Sequence, residues 1–515
     1  MSEPSTKPIG TFCLVLHTHL PWLAHHGSWP VGEEWLHQAW ATSYLPVISL
    51  LETLANEGRS DVLTLGISPV LAAQLDDPYC INEQRTWHAN WQLRAQGMAG
   101  SREAWRREAG TREFQSAIAA QSDFDTRWQR GASPILRKLS ESGVIEILGG
   151  PVTHNFQPLN QTATRRAALS IGQDDSLLRQ GKRPSGIWAP ECAYTPGLEL
   201  DYAQAGINHF VVDGPTMNSA GRSTGAAWQV ADSDVVAFAR DLEVTYRVWS
   251  PRKGYPGGKW YRDFHAFDHE WGVRPFRVTS MSTPSHEKAP YEPERAMQAV
   301  ERDAHDFVNA VRNRLLELGS TMKQAPLVVA AYDTELFGHW WHEGPQWLAH
   351  VLRLLPESGV TVTTLQGAMD LGQVAGRVDL ANGSWGSGKD WRVWTGDLVQ
   401  DVVQTNSGLE VEALDTLRKY FDDPVHIRER SIAADQLARE LLLTLASDWA
   451  FMISKDSAAE YARGRLGDHL AATRDLIRLV SSGNTAAAHA CAIQQQQRDY
   501  AFGHLDARNF AQFFG

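Results

Sequence analysis

The chain has 515 residues and a formal net charge of −12, from 48 Lys and Arg against 60 Asp and Glu. That length leaves room for a barrel of about 250 residues or more beside a second unit. The acidic balance excludes nucleic acid and anionic membrane as partners, because binding phosphates needs a surplus of cations.

The start of the chain is polar and Pro-containing, without the apolar segment of a signal peptide. No run approaches the roughly 18 apolar residues of a membrane span, so a cytoplasmic location is expected. Short apolar runs bounded by polar residues or Gly predict buried parallel strands at 12–16, 62–66, 144–148, 186–189, 209–213, 327–332 and 360–365. Helical stretches such as 45–56 and 295–318 separate most of them. Strands alternating with helices imply βαβ units, and seven such units predict an α/β fold of the (β/α)7 TIM-like barrel kind over 1–375. The Trp-rich segment 78–132 reads as helical. The Gly-, Pro- and aromatic-rich stretch 214–290 reads as a lid or insertion. Beyond a Gly/Trp-rich loop at 383–394 (GSWGSGKDWRVW), Leu437, Leu441, Leu445, Trp449 and Met452 fall at helical spacing, as do Leu466, Leu470 and Ile477. This predicts a C-terminal helical domain over 376–515. Four scattered cysteines, Cys13, Cys80, Cys192 and Cys491, form no CxxC pair, so neither a disulfide framework nor a zinc knuckle is indicated.

Barrel enzymes place catalytic residues where strands end at the C-terminal face. Here four strand ends carry chemically able residues: His17-Thr18-His19 through Trp22, Gly149 through His154, Trp188 through Glu191, and Asp333-Thr334-Glu335. Two carboxylates flanking a cavity can cleave a glycosidic bond, one attacking the anomeric carbon and the other protonating the leaving oxygen. Glu191, Asp333 and Glu335 are the candidates. A salt-bridged loop carboxylate is the bland alternative for Glu191, and helix capping for Glu335. His17, His19 and His154 fit either a zinc cluster or hydrogen bonds to sugar hydroxyls, and spacing alone leaves both open. His25 and His26 read as loop residues. The 20 Trp residues suit a ligand with flat apolar faces, such as sugar rings, with core packing the default for each one.

HTHLPW at 17–22, GGPVTH at 149–154, WAPECAY at 188–194, AAYDTELFGHWW at 330–341 and ASDW at 446–449 followed by Phe451 resemble, in this order, the five sequence regions of glycoside hydrolase family 57. The resemblance implies a retaining mechanism with Glu191 as nucleophile and Asp333 as acid/base, and no metal or other cofactor. It makes His17, His19 and His154 sugar-contacting or site-shaping residues, and brings Asp448 and Trp449 to the cleft from the helical domain. Within the family, WAPECAY, the segment 248–264 and SWGSGKDWRVW are most similar to the branching enzymes. The expected activity is therefore cleavage of an α-1,4-glucan and its re-formation as an α-1,6 branch. Expected subsite walls are Trp22, Trp188, Trp260, Trp271, Trp340, Trp394 and Trp449, with Tyr255 at the tip of a mobile cover. An α-amylase or 4-α-glucanotransferase on the same scaffold is the near alternative. A metal-dependent deacetylase or a glucan-binding protein is the remote one.

Overall fold

In the computed structural model the described residues are 8–29, 31–250 and 254–514. Strand β1 (Thr11–Thr18) pairs in parallel with β2 (Leu63–Ile67), and β2 with β3 (Ile145–Leu148). A single parallel bridge, Gly149 to Ile187, passes the ring to β4 (Gly186–Ile187), which pairs with β5 (His209–Asp213). The sheet also holds β6 (Ala227–Val230) and β7 (Val236–Arg240). β5 pairs with β7, β7 joins β8 (Leu327–Asp333) at Arg240 and Val329, and β8 returns to β1. Seven parallel strands thus close a ring, as the sequence led us to expect.

One member of that ring differs from expectation. The run 360–365 does not form a barrel wall. Only β9 (Thr361–Val362) pairs, with the first residues of β1, and then the Thr364 hydroxyl accepts from the Gly367 N–H and starts the helix Leu365–Asp370. The seventh wall is β7, inside the stretch 214–290 expected as an insertion. The irregular excursion is therefore shorter, beginning after the helix Leu242–Val248. Strand β10 (Val374–Val378) pairs with β6 and crosses the expected boundary at 375.

Side chains alternate along a strand, and this sets the site. In β1, Cys13 and Val15 point into the barrel with Val329 and Ala331 of β8 and Val211, Val236 and Phe238. Phe12, Leu14 and Leu16 face the surrounding helices. Carrying the inward register two residues on reaches His17, Asp213, Arg240 and Asp333, one at the C-terminal end of each strand. The Cα register pairs His17 with Asp333 and Asp213 with Arg240.

The segment 78–132 forms two long helices, Pro78–Ala99 and Ala104–Arg127, packed as a hairpin. Asp77 caps the first through the N–H groups of Tyr79 and Cys80. In the C-terminal region, Leu437, Leu441 and Leu445 lie in the core as their spacing requires. The helix does not run on to Met452, however. Ile432–Thr444 ends, Ala446 is extended (ψ 135°), and a new helix spans Ser447–Lys455. Ala446 bridges to Asn155, and the Ser447 N–H donates to the His154 carbonyl at 3.0 Å. This break brings the C-terminal helices onto the barrel mouth. Among the described residues no helix is long and apolar enough to cross a membrane.

Candidate active site

Glu191 stands on a turn, Pro190–Cys192, that follows β4. Its backbone is left-handed (φ 63°), as is that of Cys192 (φ 50°) and, across the site, His154 (φ 58°). Non-Gly residues adopt this region at a cost, and such strain gathers at functional sites. Here the Gly/Trp loop holds the turn. Gly383 and Tyr194 exchange backbone hydrogen bonds at 3.0 and 3.2 Å, and the Trp385 N–H donates to the Glu191 carbonyl at 2.8 Å.

The Glu191 carboxylate receives a donor on each oxygen. The Trp385 indole Nε1–H donates to Oε2 at 2.8 Å, and the Ser447 hydroxyl donates to Oε1 at 2.7 Å. The rest of a directed chain follows by elimination. With its proton on Glu191, Ser447 Oγ must accept from His154 Nδ1–H (2.9 Å). His154 Nε2 is then bare and accepts from His17 Nε2–H (3.1 Å). Both imidazoles must be neutral for this, and burial followed by the charge of neighbouring histidines holds both well below the ordinary histidine range. Trp188 stacks on His17 at 4.5 Å and meets Trp385 edge-on at 5.0 Å, so an apolar wall backs the chain.

Asp333 ends β8. Burial, then the charge of Glu191, pushes its carboxyl up to about 7, with Arg240 and His19 pulling the other way and no hydrogen bond among the causes. Burial likewise raises Glu191 to about 7, against the pull of Ser447 and Trp385. The two donors favour the ionised form of Glu191, whereas no hydrogen bond from the described residues does the same for Asp333. Glu335 is fully buried. Its Oε1 accepts from the Tyr44 hydroxyl at 2.5 Å and from the His19 N–H at 3.3 Å, and burial and the Asp333 charge raise it to about 8. Tyr44 reaches it from a π-helical turn, Trp40–Tyr44, in which Ser43 also donates to the Thr334 carbonyl. Helix capping is not its role, because the backbone at 334–336 is a single 3₁₀ turn.

His19 lies between Ser68 (Nδ1 to Oγ, 2.7 Å) and Asp448 (Nε2 to Oδ1, 3.0 Å), its ring stacked on His154 at 3.7 Å. The triad able to hold a metal is thus His19, His154 and Asp448, whose ligand atoms lie within 4.8 Å of one another. His17 is not in that group: among the described residues Asp448 takes the place expected for it. A second such group, His26, His469 and Asp499, encloses the Arg465 guanidinium, which donates to His469. His25 and His26 are anchors rather than free loop residues, bonded to Tyr500 and Asp499.

His17, His19, His154, Trp188 and Asp448 therefore gather around Glu191 and Asp333. Several expected subsite walls do not. Trp22, Trp394 and Trp449 are each 1% exposed and offer no face to a ligand. Trp22 donates to the Arg498 carbonyl, Trp449 to that of Leu443, and Trp394 stacks on Phe156. Trp271 fills the gap over Gly97 in the helical hairpin. The Trp260 ring lies among Lys259, Arg277 and Arg295. Tyr255 is not a free tip: it packs against Trp341 and Trp347 and its hydroxyl donates to Asp306 at 2.5 Å. The cover expected at 250–260 includes residues 251–253, which lie outside the described residues. Trp340 leans on the exposed Trp249, ring centroids 5.8 Å apart, one turn from Glu335. The residues missed are Trp385 and Ser447. Both sit in motifs that stood out in the sequence, beside Trp394 and Asp448, which drew the attention instead.

The profile of glycosyl hydrolase family 57 matches residues 13–379, and that of the 1,4-alpha-glucan branching enzyme C-terminal region matches 410–510. A probable 1,4-alpha-glucan branching enzyme of Mycobacterium tuberculosis is 51% identical, over 98% of this chain and 99% of that protein. The GH57-type branching enzyme structure from Pyrococcus horikoshii superposes with a TM-score of 0.90 at 30% identity, over 98% of this chain and 97% of that one. The alpha-amylase structure from Thermotoga maritima gives 0.85 at 26%, over 98% and 99%. With the family profile running through all four barrel motifs, and relatives alike over nearly the whole length, this chain belongs to glycosyl hydrolase family 57.

Proposed function

We propose that this chain is a 1,4-α-glucan branching enzyme in which Glu191 is the nucleophile and Asp333 the acid/base. The observation that carries the reading is the unequal treatment of two buried, electrostatically linked carboxyls, Glu191 held by two donors and Asp333 by none among the described residues. Glu191 attacks C1 of a bound α-1,4-glucan while Asp333 gives its proton to the departing O4. The products of that step are a β-glycosyl ester on Glu191 and a shortened chain. Asp333, now a carboxylate, takes the proton of a 6-hydroxyl on a second glucan as that oxygen displaces Glu191. Configuration is retained through two inversions. The partly exposed Trp385, backed by the buried Trp188, presents apolar surface to a sugar ring, and the bonded histidines shape the site beside it. In this reading the barrel, assigned to 1–375 and extended by β10, and the helical region beyond it form one cleft through Ser447 and Asp448.

Linkage analysis of amylose after incubation with the pure enzyme tests the proposal. New α-1,6 linkages are expected. Only shorter chains, or only redistributed linear ones, would move the chain to the amylases or glucanotransferases, with which it shares the scaffold. Full activity in excess chelator is also expected. Loss of activity there, restored by a metal, would assign His19, His154 and Asp448 as ligands instead.

A further inference from the structure

Two charged residues at the inward ends of β5 and β7 take no part in the chemistry above. Asp213 is 0% and Arg240 is 4% exposed. The Arg240 Nε–H donates to Asp213 Oδ1 at 2.8 Å. Lys389, from the Gly/Trp loop, brings its Nζ to 2.7 Å from Asp213 Oδ2 and donates to the Trp385 carbonyl at 3.1 Å. One carboxylate thus meets two cations, the buried Arg240 and the partly exposed Lys389, leaving a net charge of +1. The Arg240 guanidinium lies over the Trp385 indole, 5.2 Å from its centroid. That indole is the one whose N–H clamps Glu191. A cation on the face of an indole is attracted by its quadrupole and makes the edge N–H a better donor.

We propose that the Asp213–Arg240–Lys389 triad is a positioning element, holding the Trp385 indole on Glu191 and supplying the fixed positive charge against which the two reacting carboxyls exchange their proton. The strands fix Asp213 and Arg240, and Lys389, with a left-handed backbone (φ 62°), ties the loop to them. Arg240 therefore touches neither reacting atom but acts on both carboxyls, on Glu191 through Trp385 and on Asp333 through space. This site gathers four carboxyl groups, Glu191, Asp333, Glu335 and Asp448. The other groups facing the triad are Cys192 beside Glu191, Tyr246 from the helix Leu242–Val248 and Tyr332 of β8. Asp241, next in sequence, is already bonded to Thr224 and Arg314. None of the groups facing the triad is a permanent cation, so Arg240 and Lys389 supply the fixed positive charge. The charge is required in the second half of the reaction, when Asp333 must stand as a carboxylate to accept the proton of the acceptor hydroxyl.

The inference rests on Glu191 and Asp333 being the reacting pair, and Glu191→Ala reports on that reading separately. The experiment is the pH profile of kcat and kcat/KM on amylose for Arg240→Lys, Lys389→Met and Arg240→Met, the last of which leaves Asp213 paired with Lys389 and takes the net charge of the triad from +1 to 0. Removing one cation raises both carboxyls, so both limbs of the profile move to higher pH, by about 0.5 or more in Arg240→Met. kcat falls roughly tenfold, less than for direct loss of a donor to a reacting group, while KM changes little. Arg240→Lys keeps the charge and holds the limbs near their original pH. In a Trp385→Phe background, where no N–H reaches Glu191, Lys389→Met costs much less than in the parent. If Glu191→Ala is inactive but the limbs stay in place in every triad variant, or the loss is confined to KM or to thermal stability, the triad is structural only and the proposal falls. If Glu191→Ala keeps its activity, the reading of the pair falls first.

Discussion

The turn that carries Glu191 is tied at backbone and side chain, whereas the strand end that carries Asp333 leaves its carboxyl without a donor. On the Glu191 side, Trp385 holds both the carbonyl and one carboxylate oxygen, and Ser447 holds the other oxygen from a different part of the chain. On the Asp333 side, the adjacent hydrogen bonds go to Thr334 and Glu335, not to Asp333 itself. Under the proposed roles, the contrast follows from what each group must do. A nucleophile has one fixed target, and orientation lowers the barrier to reaching it. An acid/base must first give and later take a proton at two different oxygens, so a rigid set of donors would favour one of its two states.

Deleting either carboxyl tests the contrast most severely. Glu191→Ala and Asp333→Ala should each lose at least about 10⁴-fold in transfer. They should differ under rescue. An α-maltooligosyl fluoride needs no acid to depart, so Asp333→Ala should still form the glycosyl-enzyme from it, and added azide should release an α-glycosyl azide. Glu191→Ala should give the β-azide. The same anomer from both variants would break the assignment.

Loosening the clamp has a smaller effect. Ser447→Ala and Trp385→Phe each remove one donor to a buried carboxylate, about 1–3 kcal/mol, and should lower kcat roughly 10- to 100-fold. Both donors favour the ionised form, so either loss should move the acid limb of the pH profile upward, the limb below which Glu191 is protonated. An unmoved limb would mean that the hydrogen bonds hold the turn and not the charge.

Glu335 sharpens the comparison through stability. Its folded value of about 8 lies above the ordinary 4.5, so between those values the folded chain retains a proton that the unfolded chain has released. Stability from this group is present at low pH and is lost as pH rises through about 8. Glu335→Gln cannot ionise, so its advantage over the parent should grow steadily across that window and level off above about pH 8, read from the denaturation midpoint. A constant difference from pH 5 to 9 would show that the carboxyl is ionised throughout. The smallest effect is expected at Tyr255. Tyr255→Phe removes only the bond to Asp306 and should change the ratio of new α-1,6 linkages to released reducing ends by less than about twofold. A marked fall in that ratio would mean that the ring leaves its seat on Trp341 and Trp347 to cover the substrate.

Much of the site was legible because strands alternate and barrels work at their C-terminal ends. An inward Cys13 and Val15 put His17 in the cavity, and an inward Val329 and Ala331 put Asp333 there. The same rule reaches Asp213 and Arg240 once β7 is known, but β7 is only five residues long and lies in a Gly- and Pro-rich stretch that local pattern assigns to an excursion. Strand run 360–365 failed for the opposite reason: its apolar pattern is sound, but Thr364 caps a helix instead. Aromatic content alone could not separate subsite from core, since Trp188, Trp385 and Trp394 look alike in sequence and differ only in what surrounds them.

Local chemistry in the sequence thus determined the family of fold, the two carboxyls and the histidines beside them, because strand period and motif spacing act over a few residues. The partners of those groups were decided only by the tertiary structure. Trp385 lies 194 positions from Glu191 and Ser447 lies 256. They meet it because a Gly-rich loop pairs with the strained turn and a helix breaks at Ala446, and contacts at such separations depend on how whole elements pack.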